Sequence, residues 1–244
     1  MTTLNADWHR AHTDERDPLR KVFHNELEQV ANELVELTHL VGSAIRRSTS
    51  ALLDADVQLA EQVIEADQEI DERRNALDLK AIDLLARQSP VAQDLRTVVT
   101  SMRMSSDLER MGDLARHVAK VTRLRYPESA VPDELRSSFL EMGQVAERIV
   151  ARVADIIVTL DLDEARDIED IDDELDQLHR AMFTRLSDSK WQHGSSAAVD
   201  VALLSRYYER FGDHAVTVAR RVRFLVTGEL DGVDQEDVDV DDGI

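Results

Sequence analysis

The chain has 244 residues and a formal charge of −21, from 50 acidic against 29 basic side chains. It holds no cysteine, which excludes disulfides, thiolate metal sites and cysteine nucleophiles. No basic run stands ready to displace counterions from phosphates and no apolar run nears 18 residues, so neither nucleic acid nor membrane insertion is expected.

With 8 glycines, 4 prolines and few aromatics, the chain lacks the turn-bounded β-branched runs that strands need, and the expected class is all-α. Residues 1–17 are polar, lack the apolar segment of a signal peptide and read as an extension of a cytoplasmic protein. Leu27, Val30, Leu34, Val41, Ile45 and Leu52 recur at helical spacing and predict a first helix over about 19–53, entered at Pro18 and closed by Asp54-Ala55-Asp56. A second helix carries Leu59, Val63, Ile70, Leu77 and Leu84 and stops near Gln88. Ser89-Pro90 reads as a cap followed by a first-turn proline, so the third helix is expected to open at Pro90 and to run to about Arg125. After a break at Tyr126-Pro127-Glu128-Ser129, a fourth helix is expected over about 133–160, after which Asp161-Leu162-Asp163 repeats the earlier acidic turn, then a fifth to about Asp188 and a sixth from about Ser196 to Thr227. The segment 229–244 holds eight acids and no base and is expected to be a disordered tail.

The chain repeats itself. Glu109-Arg110-Met111-Gly112-Asp113 matches Glu209-Arg210-Phe211-Gly212-Asp213 one hundred positions later, and Asp67 and Asp71 match Asp172 and Asp176. Two three-helix units are therefore expected, over 18–125 and 132–228. Within each unit the acids stand one helical turn apart on a single face. If the second and third helices of a unit are antiparallel, Asp71 comes level with Glu109 and Asp67 with Asp113. In the second unit Asp176 comes level with Glu209 and Asp172 with Asp213.

Two unit charges 4 Å apart repel by about 4 kcal/mol at an effective dielectric of 20, so four carboxylates at close range call for a remedy. Three are available: raised pKa values, arginine neutralisation or a bound hard cation such as magnesium, manganese, calcium or iron. Arg73, Arg74, Arg110, Arg148, Arg152 and Arg210 stand near the right heights, with Arg148 and Arg152 roughly opposite Asp176 and Asp172. Gly112 and Gly212 interrupt good helix formers beside each acidic pair and point to a close approach of neighbouring chain or room for a cluster. Glu36-Leu37-Thr38-His39 matches the E-x-x-H motif of di-iron carboxylate bundles, so a ferritin-like oxidase or iron store is the alternative. Asp176-Gln177-Leu178-His179 is a weaker relative of that motif, and His117 has no counterpart, since Thr217 takes its place. No catalytic order of nucleophile and base and no phosphate-cradling glycine loop is present, and no enzyme is expected.

Duplicated Glu-Arg-x-Gly-Asp motifs on third helices, with the opening Ser89-Pro90-Val91-Ala92-Gln93-Asp94-Leu95-Arg96, resemble the PhoU family of phosphate-transport regulators over residues 18–228. The resemblance implies two tandem three-helix bundles forming an elongated molecule. Its acidic signature maps onto Asp67, Asp71, Glu109, Asp113, Asp172, Asp176, Glu209 and Asp213, where some members hold multinuclear metal and others none. Iron, manganese, magnesium or zinc are the metals implied. It further implies a homodimer that regulates phosphate uptake and starvation signalling through the ATPase subunit of the phosphate ABC transporter and a phosphate-sensing histidine kinase. The Asp-Leu-Arg opening is missing from the second copy, and the acidic tail is an addition.

Overall fold

The computed structural model describes residues 18–88 and 90–229, so the N-terminal extension, Ser89 and all but the first residue of the acidic tail lie outside the described residues. Six helices follow in order: α1 (Pro18–Asp54), α2 (Val57–Gln88), α3 (Gln93–Arg125), α4 (Arg136–Thr159), α5 (Leu162–Leu186) and α6 (Gly194–Thr227). No strand occurs among the described residues, and none of their helices is long and apolar enough to cross a membrane. The 37 residues of α1 span about 55 Å at 1.5 Å per residue, which makes the molecule elongated.

The two acidic turns foreseen in the sequence work as matched caps. Asp56 Oδ1 accepts from the backbone N–H groups of Gln58 and Leu59, both at 3.0 Å, and so starts α2. Asp161 Oδ1 does the same for Asp163 and Glu164, at 2.8 and 3.1 Å, to start α5. In each case the preceding residue reverses the chain in the left-handed region, Ala55 at φ 48° and Leu160 at φ 54°. The third helix departs from expectation. It begins at Gln93 rather than Pro90, because Ala92 sits at φ 50° and a left-handed residue cannot continue a right-handed helix. The fourth also starts late: Asp133–Leu135 forms a tighter 3₁₀ turn before α4 proper.

Helices α1, α2 and α3 pack together, as do α4, α5 and α6, and the two triplets join where α1 meets α4 and α3 meets α6. Buried apolar side chains from all six helices form one continuous core that includes Leu34, Val41, Leu77, Leu108, Met111, Phe139, Ile149, Leu175, Leu204 and Phe211. Close approach at the α1–α4 crossing depends on Gly143, where a Cβ would lie 2.4 Å from Thr49 Cγ2. Thr49 itself donates to Ile45 O at 2.8 Å, so the buried Tyr208 hydroxyl of α6 donates to Thr49 Oγ1 at 2.7 Å.

The outer helices α2 and α5 carry 17 acids and 7 bases, whereas α3 and α6 carry 12 bases and only 7 acids. The absence of a basic run along the sequence is therefore no guide to the folded molecule, since helix pairing gathers dispersed arginines onto the central pair. Some of these cross the junction between triplets: Arg221 Nε of α6 donates to Asp107 of α3 at 2.7 Å, and Arg125 Nη2 of α3 donates to Asp200 of α6 at 3.0 Å. His214 Nδ1 adds a 3.2 Å hydrogen bond to Asp107, and His117 stacks on Tyr207 with ring centres 5.3 Å apart.

Candidate functional site

The antiparallel register of α2 with α3 and of α5 with α6 sets the expected carboxylates at matching heights, and the contacts between the helices bear this out. In the first triplet Gly112 faces Ile70 and Asp67; a Cβ there would lie 2.9 Å from Ile70 Cδ1 and 3.7 Å from Asp67 Oδ1. In the second, a Cβ on Gly212 would lie 1.9 Å from Asp172 Oδ1 and 3.0 Å from Leu175 Cδ1. Asp172 thus rests directly on the α6 backbone at a place only glycine leaves open. One turn along, His179 Nδ1 meets Ser205 Oγ at 3.0 Å and keeps the same pair of helices in register.

The two clusters share a plan and differ in charge balance. Asp67 is 5% exposed, and its carboxyl is raised above the usual range, chiefly by burial and then by Asp71 and Asp113, against the pull of Arg116. Glu109 is also raised, by burial and by Asp113. Arg116 bridges the two helices, donating through Nη1 to Asp67 Oδ2 and through Nη2 to Asp113 Oδ1. Arg110 adds a looser bond to Asp113 at 3.4 Å.

No arginine occupies the corresponding place in the second triplet, where Val216 stands one hundred positions after Arg116. Burial together with Asp213, Asp176 and Glu209 pushes the Asp172 carboxyl up to about 7. Burial and Asp213 raise Glu209 as well. Asp172 Oδ1 and Glu209 Oε2 are buried without a hydrogen-bond partner. The outer oxygens are paired: Arg206 donates to Glu209 Oε1, and Arg180 donates to Asp176 at 2.7 Å. Arg148 and Arg152, expected opposite Asp176 and Asp172, bind elsewhere, to Glu174 at 2.5 Å and Glu164 at 3.8 Å. Height along a helix does not decide which way a side chain faces, and these two project onto the outer flank of α5.

Asp67, Asp71, Glu109 and Asp113 therefore share one neighbourhood, and Asp172, Asp176, Glu209 and Asp213 share another. Among the described residues, no three of these or any other Asp, Glu or His side chains are arranged as a ready metal cage. The all-oxygen donor set, the orphaned oxygens of Asp172 and Glu209 and the Gly212 cradle fit a hard cation in the second cluster. In the first cluster the Arg116 guanidinium already supplies the positive charge. Six other arginines stand near the expected heights; what marks Arg116 in the sequence is its position three residues after Asp113 and its replacement by valine in the second copy. Glu36 and His39 both face solvent, which removes the support for a buried E-x-x-H site.

Known proteins share this architecture. The crystal structure of the phosphate transport system regulatory protein PhoU from Streptococcus pneumoniae superposes with a TM-score of 0.78 at 28% identity, covering 86% of this chain and 99% of that one. PhoU from Pseudomonas aeruginosa gives 0.77 at 29%, covering 85% and 100%. The phosphate-specific transport system accessory protein PhoU homolog 2 of Mycobacterium tuberculosis is 47% identical over 210 residues, 86% of this chain and 99% of that protein. PhoU homolog 1 of the same organism is 43% identical over 217 residues, 89% and 98% of the two chains. The model of the PhoU domain matches twice, over residues 34–122 and 139–222, once in each helix triplet and each time across the carboxylates just described. On the strength of that double match and of near-complete alignment with its relatives, the chain belongs to the PhoU family.

Proposed function

We propose that this protein is an accessory regulator of phosphate uptake and of phosphate-starvation signalling, acting in the cytoplasm by docking rather than by catalysis. The observation that carries the reading is the double family match over a chain whose close relatives are named as accessory proteins of phosphate-specific transport. Its partners are the ATPase subunit of the phosphate transporter and a phosphate-sensing histidine kinase, and the working form is a homodimer. Long paired helices with dense, opposite charge on different elements suit a docking platform, since complementary fields orient a partner before contact.

In the same reading the second carboxylate cluster holds a cation through Asp172, Asp176, Glu209 and Asp213. A cation bound there would supply positive charge to four neighbouring acids, of which burial and mutual repulsion raise Asp172 and Glu209. Asp172 and Glu209 offer their orphaned oxygens, while Gly212 keeps the backbone out of the way. Co-purification of the two partners with the full chain, at high and low phosphate, tests the docking reading: both are expected to be retained, more strongly at high phosphate. Failure of either to bind at any phosphate level overturns it.

A further inference from the structure

We infer that Arg116 is the built-in cation of the first carboxylate cluster, so that the two clusters are unequal and the second is this chain's metal-loading site. The inference rests on the cation-binding reading above and adds to it a division of labour that the duplicated motifs conceal. Both copies carry the same acids at the same heights, yet only the first contains a guanidinium fork that ties its middle helix to its third. A fork of this kind meets two carboxylates at once and balances the charge that a metal would otherwise supply. In the second copy that position is Val216, an apolar side chain that is buried.

The consequences show in the neighbouring atoms. Asp67 is drawn towards Arg116 and stands clear of Gly112, whereas Asp172 has nothing to draw it away and lies against Gly212. Glu209 is 9% exposed and within electrostatic reach of Asp213 and Asp176, and its Oε2 has no partner; nor has Asp172 Oδ1. The arginines that do touch the second cluster are of another kind. Arg206 and Arg180 have side chains 49% and 70% exposed and pair within their own helices, whereas the Arg116 side chain is 25% exposed and crosses between helices. An exposed pair within one helix is weak and easily displaced; a half-buried bidentate bridge is not.

Manganese(II) alone is the probe, with bound metal per chain measured after equilibrium dialysis of the full-length protein and helicity checked by circular dichroism. Manganese loading of the unaltered protein is expected to fall with Asp172→Asn and to be unmoved by Asp67→Asn. Arg116→Val is expected to open the first cluster and raise its affinity by about a hundredfold, a gain that Asp67→Asn then removes. Arg116→Gln, which loses the charge but still donates to Asp67, is expected to do the same in a milder form and stands in if the valine variant does not fold. Equal sensitivity of the unaltered protein to Asp67→Asn and Asp172→Asn would overturn the division of labour, as would loading that is measurable in the unaltered chain and unchanged in Arg116→Gln. Absence of binding in both the unaltered chain and Arg116→Gln would instead overturn the cation-binding reading beneath it.

Discussion

Asp172 is an acid whose charge the fold opposes, and the sign of that opposition gives a pH dependence. Burial and the neighbouring acids push its carboxyl up to about 7 in the folded chain, against an ordinary value of 3.8. Between those two values the folded form holds a proton that the unfolded form has lost. This contribution to stability is full below pH 4 and gone above pH 7. In the presence of a chelator, melting temperature is therefore expected to fall as pH rises from 5 to 8. Asp172→Asn, a permanent mimic of the protonated state, is expected to stabilise the protein at pH 8 by about 2 kcal/mol, with the gain shrinking towards pH 4. The sequence disclosed this group through duplication, because a second copy of Asp67-x-x-x-Asp71 at the right height marks Asp172 and Asp176. It did not disclose Arg116: whether an arginine on α3 turns inward towards α2 depends on the packing of both helices.

Capping and crossing govern the helices as units. The acidic turns at 54–56 and 161–163 were legible because an aspartate cap needs only local backbone, whereas the late start of α3 was hidden in the unusual φ of Ala92. Ala55 also holds a left-handed conformation that glycine adopts without strain, so Ala55→Gly is expected to raise the urea midpoint by an amount equal to about 1 kcal/mol. Gly143 is the reverse case. Alanine is the better helix former, yet a Cβ there meets Thr49 Cγ2, Oγ1 and Cβ at 2.4 to 3.0 Å, and Thr49 is held by its bonds to Ile45 and Tyr208. Gly143→Ala is expected to cost about 1–3 kcal/mol in chemical denaturation, since the overlap outweighs the gain in propensity.

The whole molecule is joined through α1, α3, α4 and α6, and where α3 meets α6 the acids Asp107 and Asp200 are buried. Asp107 is 9% exposed and depends on Arg221 and His214 for its hydrogen bonds. Arg221→Ala strands that acid and is expected to lower stability by about 2 kcal/mol by thermal melting. The division into triplets was readable from the repeat, but the merging of their interiors was not, because periodicity marks an apolar stripe without naming the helix that covers it. That shared interior has a further effect. Severed between 125 and 132, neither piece could cover the apolar flanks of α1 and α3, or of α4 and α6, without the other. The pieces are expected to be largely unstructured alone and to regain helicity when mixed. The ancestral copy, in other words, has become a partner that each half must complement, and the duplication can no longer be undone by a simple cut.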